Sequence, residues 1–232
     1  MHLVMFDVDG TLVTGDGTDE VCYCEAVNDV LGIPQIDTDW SHYWNVTDSG
    51  ITSELVEKHL HRRPEQEAIQ AVRHAYVSKL RHQIGENPLS FRAVPGATEL
   101  IADLRSMDGV CVCIATGGWR HAALLKLRLV GIPTDNIPVA SSDDSDERRS
   151  IRAHACELAC IQRHCEAFDS IVYVADHPGD LANSRRLGYG FVGIGSGNIA
   201  EELRCAGAIH VQPDFGNRDY FFKILRLTKG KP

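Results

Sequence analysis

Residues 2–11 read HLVMFDVDGT, an apolar run that ends in Asp-Val-Asp-Gly-Thr. A run of this kind is what a parallel strand covered on both faces requires, with its polar residues held back to the carboxyl end. The same grammar recurs along the chain. Residues 109–118 read GVCVCIATGG, residues 170–180 read SIVYVADHPGD, and residues 188–197 read GYGFVGIGSG; residues 136–144, NIPVASSDD, form a shorter and weaker version. Apolar spacing at i, i+3 and i+4 predicts helices between these strands, over residues 97–107, 119–130, 151–163 and 181–187. Gly131 with Pro133 stops one of them, and Gly188 stops another. Strand–helix alternation predicts an α/β fold, a three-layer Rossmann-like parallel sheet. Its ligands belong at the carboxyl ends of the strands.

One stretch breaks the alternation. Residues 14–92 carry no convincing strand and three helical patterns, over residues 19–31, 52–61 and 64–84, with Pro64 placed at a helix start. The expected organisation is a core made of residues 1–13 and 93–232, with a helical insertion of residues 14–92 beside the active edge. The terminal Lys-Gly-Lys-Pro is expected to fray.

The chain has 232 residues, 44% hydrophobic and 24% charged, enough to bury a large core. Its net charge of −9 offers no global basic field to nucleic acid or an anionic membrane. No apolar run approaches the ~18 residues of a bilayer span. No basic segment leads into a secretory-type apolar stretch, so the expected location is cytoplasmic. The eight cysteines include no C-x-x-C pair and no zinc-type Cys/His spacing, and read as reduced, small apolar residues. The sequence leaves monomer and homodimer open.

The strand ends carry the chemistry. Asp7 and Asp9 are close enough to repel, and both stay ionised at low cost only beside a cation; solvated turn aspartates are the plainer alternative. A hard, oxygen-seeking ion such as Mg²⁺ suits them. Thr116-Gly117-Gly118 offers a hydroxyl and backbone N–H groups at a helix start, an anion site or merely a cap. Asp176 and Asp180 bring a second acidic pair to the same edge. The loop of residues 141–149 delivers Arg148 and Arg149 into a first helical turn, where the helix dipole disfavours cations. Binding a phosphate explains them, and so does pairing with the neighbouring Asp and Glu residues.

Together these motifs resemble the haloacid dehalogenase-like superfamily. The match lies in D-x-D-G-T on the first strand, Thr-Gly ending the second, a basic residue before a later helix, and D-x-x-x-D at the fourth strand. The chain is similar to phosphatases with a helical cap inserted after the first motif, of the phosphoglycolate phosphatase kind. The resemblance implies that Asp7 is the nucleophile forming an aspartyl-phosphate. It implies that Asp9 is the acid/base, its backbone carbonyl on the metal. Thr116 and Gly117 would orient the phosphate, and Arg148 would steady it. Arg148, three residues before Ile151, fits that place better than Arg149. Asp7, Asp9, Asp176 and Asp180 would hold Mg²⁺. Ala175 stands where the family commonly has glycine, and residues 13–17 form a glycine-rich flap able to hinge the cap.

Relatives include dehalogenases and phosphomutases. An aspartate two residues after the nucleophile is absent from the dehalogenases, so the expected activity is Mg²⁺-dependent hydrolysis of a small phosphorylated metabolite. A phosphomutase, or a phosphate-binding regulatory module without turnover, is the alternative. The aromatic and polar loop of residues 40–50 is expected either to face the active edge or to pack the cap interior.

Overall fold

The computed structural model describes residues 1–227. Six parallel strands form the central sheet among these residues: β1 (His2–Phe6), β4 (Val110–Ala115), β5 (Val139–Ala140), β6 (Ser170–Ala175), β7 (Gly190–Ile194) and β8 (Val211–Gln212). Their order is β5-β4-β1-β6-β7-β8, with β1 central. The order therefore reverses beside β1, which brings the ends of β1, β4 and β6 together at the switch point where α/β sheets bind ligands. Helices α4 (Ala97–Ser106), α5 (Arg120–Leu129), α6 (Arg148–Arg163), α7 (Pro178–Leu187), α8 (Gly197–Cys205) and α9 (Arg218–Leu227) follow the strands.

Alternation along β1 sends its side chains to two separate cores. Val4 and Phe6 enter one face, where Phe6 stacks on Phe221 at 6.4 Å and meets Phe215 edge-on. Leu3 and Met5 enter the other, with Cys111, Cys113, Ile151 and Tyr173. Cys111 and Cys113 thus fill a core as small apolar residues, and all eight cysteines are free.

The insertion contains α1 (Thr18–Leu31), α2 (Asp48–Leu60) and α3 (Gln66–Glu86). Three features differ from the sequence expectation. A short antiparallel pair, β2 (Val13–Gly15) with β3 (Phe91–Ala93), joins the two junctions of the insertion. Three-residue strands are too short to show alternation, so a purely helical reading missed them. Helix α2 starts at Asp48 instead of residue 52, because Thr47 caps it by accepting the Gly50 N–H. Gly50 there is a packing requirement: a Cβ would lie 2.6 Å from the Asn45 Cβ. Pro64 sits two residues ahead of α3 rather than inside it. The terminal Lys-Gly-Lys-Pro lies outside the described residues.

The insertion is docked on the core through the start of α2. The Asp48 N–H donates to the Gly117 carbonyl at 2.8 Å, and the Asp48 carboxylate accepts the Trp119 N–H at 2.7 Å. Ser49 donates two hydrogen bonds to Ser142, from its N–H to the hydroxyl and from its own hydroxyl to the carbonyl, and accepts one from the Trp119 indole. No helix among the described residues is long and apolar enough to cross a membrane.

Candidate active site

Asp7 leaves the end of β1 with its carboxylate nearly buried. One oxygen accepts the Val8 N–H at 2.8 Å, and the other accepts Arg148 Nη1 at 2.9 Å. Gly10 makes the turn that follows, at φ +74°, and a Cβ there would fall 2.0 Å from Asp176 Oδ2. Glycine is therefore required twice at this position, for its left-handed backbone and for the space Asp176 occupies. Thr11 donates to the other Asp176 oxygen at 3.3 Å. The D-x-D-G-T turn and the end of β6 are thereby built as one unit.

One oxygen each from Asp7, Asp176 and Asp180 lie within 4.8 Å of one another. Burial, then the charges of Asp7 and Asp180, push the Asp176 carboxyl up to about 7. A site made of carboxylates with no nitrogen or sulfur donor fits a hard divalent cation, which would relieve that repulsion. The carboxylate of Asp9 is outside this group. It turns away to Lys126, 2.6 Å from Nζ.

Two arginines bear on the acidic group from α6. Arg148 Nη1 reaches Asp7 and Asp180, and its Nε donates to the Val46 carbonyl of the insertion at 2.7 Å. Burial works against its charge, but Asp180 and Asp7 outweigh that and hold its guanidinium well above the ordinary range. Arg149 is largely exposed and only approaches Glu147. Arg148 thus makes the contacts with the acidic group, while Arg149 lines the same cleft. Arg152, fully buried one turn further on, pairs with Asp180 and stacks its guanidinium 4.3 Å above the Tyr173 ring.

Thr116 follows directly on β4 and accepts the Gly118 N–H at 3.1 Å. The space beside the Gly117 Cα is taken by Arg148 and the Val46 carbonyl, so a side chain is excluded there. A cleft of about 920 Å³ opens above these groups, and Asp7, Asp9, Thr116, Arg148, Asp176 and Asp180 all line it. Gly117 does not; it lines a neighbouring cavity of about 310 Å³, which also holds Asp9, Asp19 and Asp48. The loop of residues 40–50 divides between its two expected roles. Tyr43 is buried against Trp40, whereas Trp44 is 91% exposed and lines the large cleft with Asn45 and Ser41.

Four functional-looking residues escaped the sequence reading: Lys126, Arg152, Asp19 and Asp48. A signal existed for the first two. The buried stripe of α5 runs Ala122, Ala123, Lys126, Leu127, and that of α6 runs Ile151, Arg152, Ala155, Ala159. A cation on the apolar stripe of a helix needs a buried carboxylate to meet it.

Comparison with known proteins gives a consistent picture. A family model described as haloacid dehalogenase-like hydrolase matches residues 4–184. No curated protein matches the sequence. Among solved structures, a hydrolase from Pseudomonas syringae superposes with a TM-score of 0.71 at 20% identity, covering 97% of this chain and 99% of that one. CbbY from Rhodobacter sphaeroides, in complex with phosphate, gives 0.68 at 19% identity, covering 93% and 95%. A predicted phosphoglycolate phosphatase from Haemophilus somnus 129PT gives 0.59 at 17% identity, covering 95% and 97%. At these identities the likenesses establish the shared fold.

Proposed function

The chain belongs to the haloacid dehalogenase-like hydrolases, and on that premise we propose that it is a Mg²⁺-dependent phosphatase of a small phosphorylated metabolite. The observation that carries the proposal is the cleft floor. There Asp7 is held by Arg148, beside an acidic group suited to a divalent ion and two residues from a second aspartate. A phosphate was bound in the Rhodobacter neighbour, which was also solved with xylulose-1,5-bisphosphate. Both support a phosphorylated ligand here.

In this reading an Asp7 oxygen attacks phosphorus and the bond to the ester oxygen breaks. Asp9 gives its proton to the departing oxygen, releasing an alcohol and leaving an aspartyl-phosphate. Asp9, now ionised, takes a proton from water; the water oxygen attacks phosphorus, and Asp7 is freed with release of phosphate. Thr116 and the nearby backbone amides orient the phosphoryl oxygens, and Arg148 holds Asp7 and offsets charge on them. Asp7, Asp176, Asp180 and the Asp9 carbonyl would hold Mg²⁺, which neutralises charge on nucleophile and phosphate. Residues 14–92 act as the cap, and the exposed face of Trp44 and Asn45 contributes to substrate choice. Cytoplasmic location accords with the reading.

Release of inorganic phosphate from a panel of phosphate esters, with and without Mg²⁺, tests this. The wild type is expected to turn over with Mg²⁺ and Asp7→Asn is not. A phosphomutase would isomerise a sugar phosphate without releasing phosphate, and a regulatory module would bind without turnover.

A further inference from the structure

Lys126 is the most deeply buried ammonium in the described structure, with 1% of its side chain exposed, and the chemistry above makes no use of it. Its Nζ lies 2.6 Å from Asp9 Oδ1 and 3.0 Å from Asp19 Oδ2. It also sits 5.9 Å from the centre of the Phe91 ring. Asp19 begins helix α1, just past the outgoing junction of the insertion, and Phe91 lies on β3, the returning junction. Asp19 in turn accepts the hydroxyl of Tyr76 from α3. One core lysine therefore touches the proposed acid/base and both junctions of the inserted segment.

The contact also aims Asp9. Its Oδ1 is taken by Lys126. A Cβ built on Gly118 would have Thr116 Oγ1 at 3.5 Å, Asp9 Oδ2 at 3.6 Å and Asp48 Oδ2 at 3.7 Å, so the second oxygen of Asp9 borders the same small space as the threonine expected to orient the phosphate. Burial opposes the Lys126 charge, yet Asp19 and Asp9 outweigh it and hold the ammonium above its ordinary range.

We propose that Lys126 is a positioning residue that sets the Asp9 carboxyl for proton transfer and ties that setting to the docked position of α1 and β3. This rests on the phosphatase reading. The role differs from simple charge neutralisation in one measurable way. Proton donation matters in proportion to how poor the leaving group is. A p-nitrophenolate leaves without help, whereas an ethoxide does not.

The test is kcat/KM of wild type, Lys126→Met, Lys126→Arg and Asp19→Asn on p-nitrophenyl, phenyl and ethyl phosphate, with folding checked by circular dichroism and Tm. Since general acid catalysis contributes about 10²–10⁴-fold, Lys126→Met is expected to lose about 30-fold or more on ethyl phosphate and about 3-fold or less on p-nitrophenyl phosphate. Lys126→Arg should recover part of the ethyl phosphate loss. Asp19→Asn keeps the Lys126–Asp9 contact and loosens its tie to α1, so it should show the same graded pattern at smaller size. If Lys126→Met does not fold, Asp19→Asn decides. Equal losses on all three esters, or no loss, overturn the proposal. A wild type that hydrolyses none of them, and matches Asp7→Asn, overturns the phosphatase reading itself and this inference with it.

Discussion

Replacing Gly10 by alanine perturbs the site through a single methyl group, and the structure gives the size of the effect. The backbone there has φ +74°, a conformation that costs an L-residue about 1–2 kcal/mol. At roughly 2–4 °C per kcal/mol for a domain of this size, Tm should fall by about 2–8 °C. The larger effect is steric. The new Cβ would lie 2.0 Å from Asp176 Oδ2, while ordinary contact begins at 3.4 Å, so the carboxylate must retreat by more than an ångström. Misplacement on that scale costs about 10²-fold when the moved group shapes the reacting centre. Asp176 belongs to the acidic trio, so Gly10→Ala should also raise the Mg²⁺ concentration giving half-maximal rate. The assay is kcat/KM on p-nitrophenyl phosphate across a Mg²⁺ titration, beside a thermal melt. Activity within about 3-fold of wild type, with the same Mg²⁺ dependence, would refute the claim that Asp176 is fixed by this turn.

Further outcomes follow from the same geometry. Arg148→Met should lower kcat by about 10²–10³-fold, because it removes a preorganised donor on Asp7, whereas exposed Arg149→Ala should stay within about 3-fold. Steady-state rates of the two variants side by side check this. Asp48 is pushed up to about 7 by burial and by Asp19, so its folded form prefers the proton. Stability from that group is therefore fully present below the ordinary carboxyl value of 3.8 and is lost as pH rises from there through about 7. Asp48→Asn, which can still accept the Trp119 N–H, should raise Tm at pH 8 by roughly 2–4 °C, by less at pH 5, and not at all below the ordinary carboxyl range. The exposed Trp44 predicts that Trp44→Ala with Asn45→Ala reorders preference across a phosphate-ester panel by about 10-fold or more while Tm holds, since truncated binding contacts act on substrate discrimination. An unchanged ranking would mean the cleft wall there plays no part in selection.

Much of the fold was legible because fully covered strands write continuous apolar runs. HLVMF and VCVCIA announce β1 and β4 without further help, and their polar endings mark the active edge. Two-residue β8 left no comparable signal and gains its place only by pairing with β7. Helices α8 and α9 do carry amphipathic patterns, which the strand-led reading passed over. Asp7, Thr116, Arg148, Asp176 and Asp180 were legible as strand and helix ends, and the structure gathers them on one cleft. The stripes of α5 and α6 mark Lys126 and Arg152 as buried cations but not their partners. Asp9 and Asp19 are more than one hundred residues from Lys126 in sequence, and the Asp180 that justifies the burial of Arg152 lies on another helix, so both meetings are tertiary facts that no local pattern encodes. Asp16, within the flap of residues 13–17, serves the local turn, accepting both the N–H and the hydroxyl of Thr18.

The most direct test of Asp7 as the nucleophile is a pre-steady-state burst experiment on Asp9→Asn with excess p-nitrophenyl phosphate and Mg²⁺. This leaving group needs no proton, whereas hydrolysis of an aspartyl-phosphate needs the base that the variant lacks. A burst of one p-nitrophenolate per enzyme followed by slow turnover is expected. Mass spectrometry should find one phosphoryl group on the peptide containing Asp7, and none when Asp7 is also changed to Asn. A burst without that modification, or turnover that survives Asp7→Asn, would contradict the assignment of Asp7 as the nucleophile.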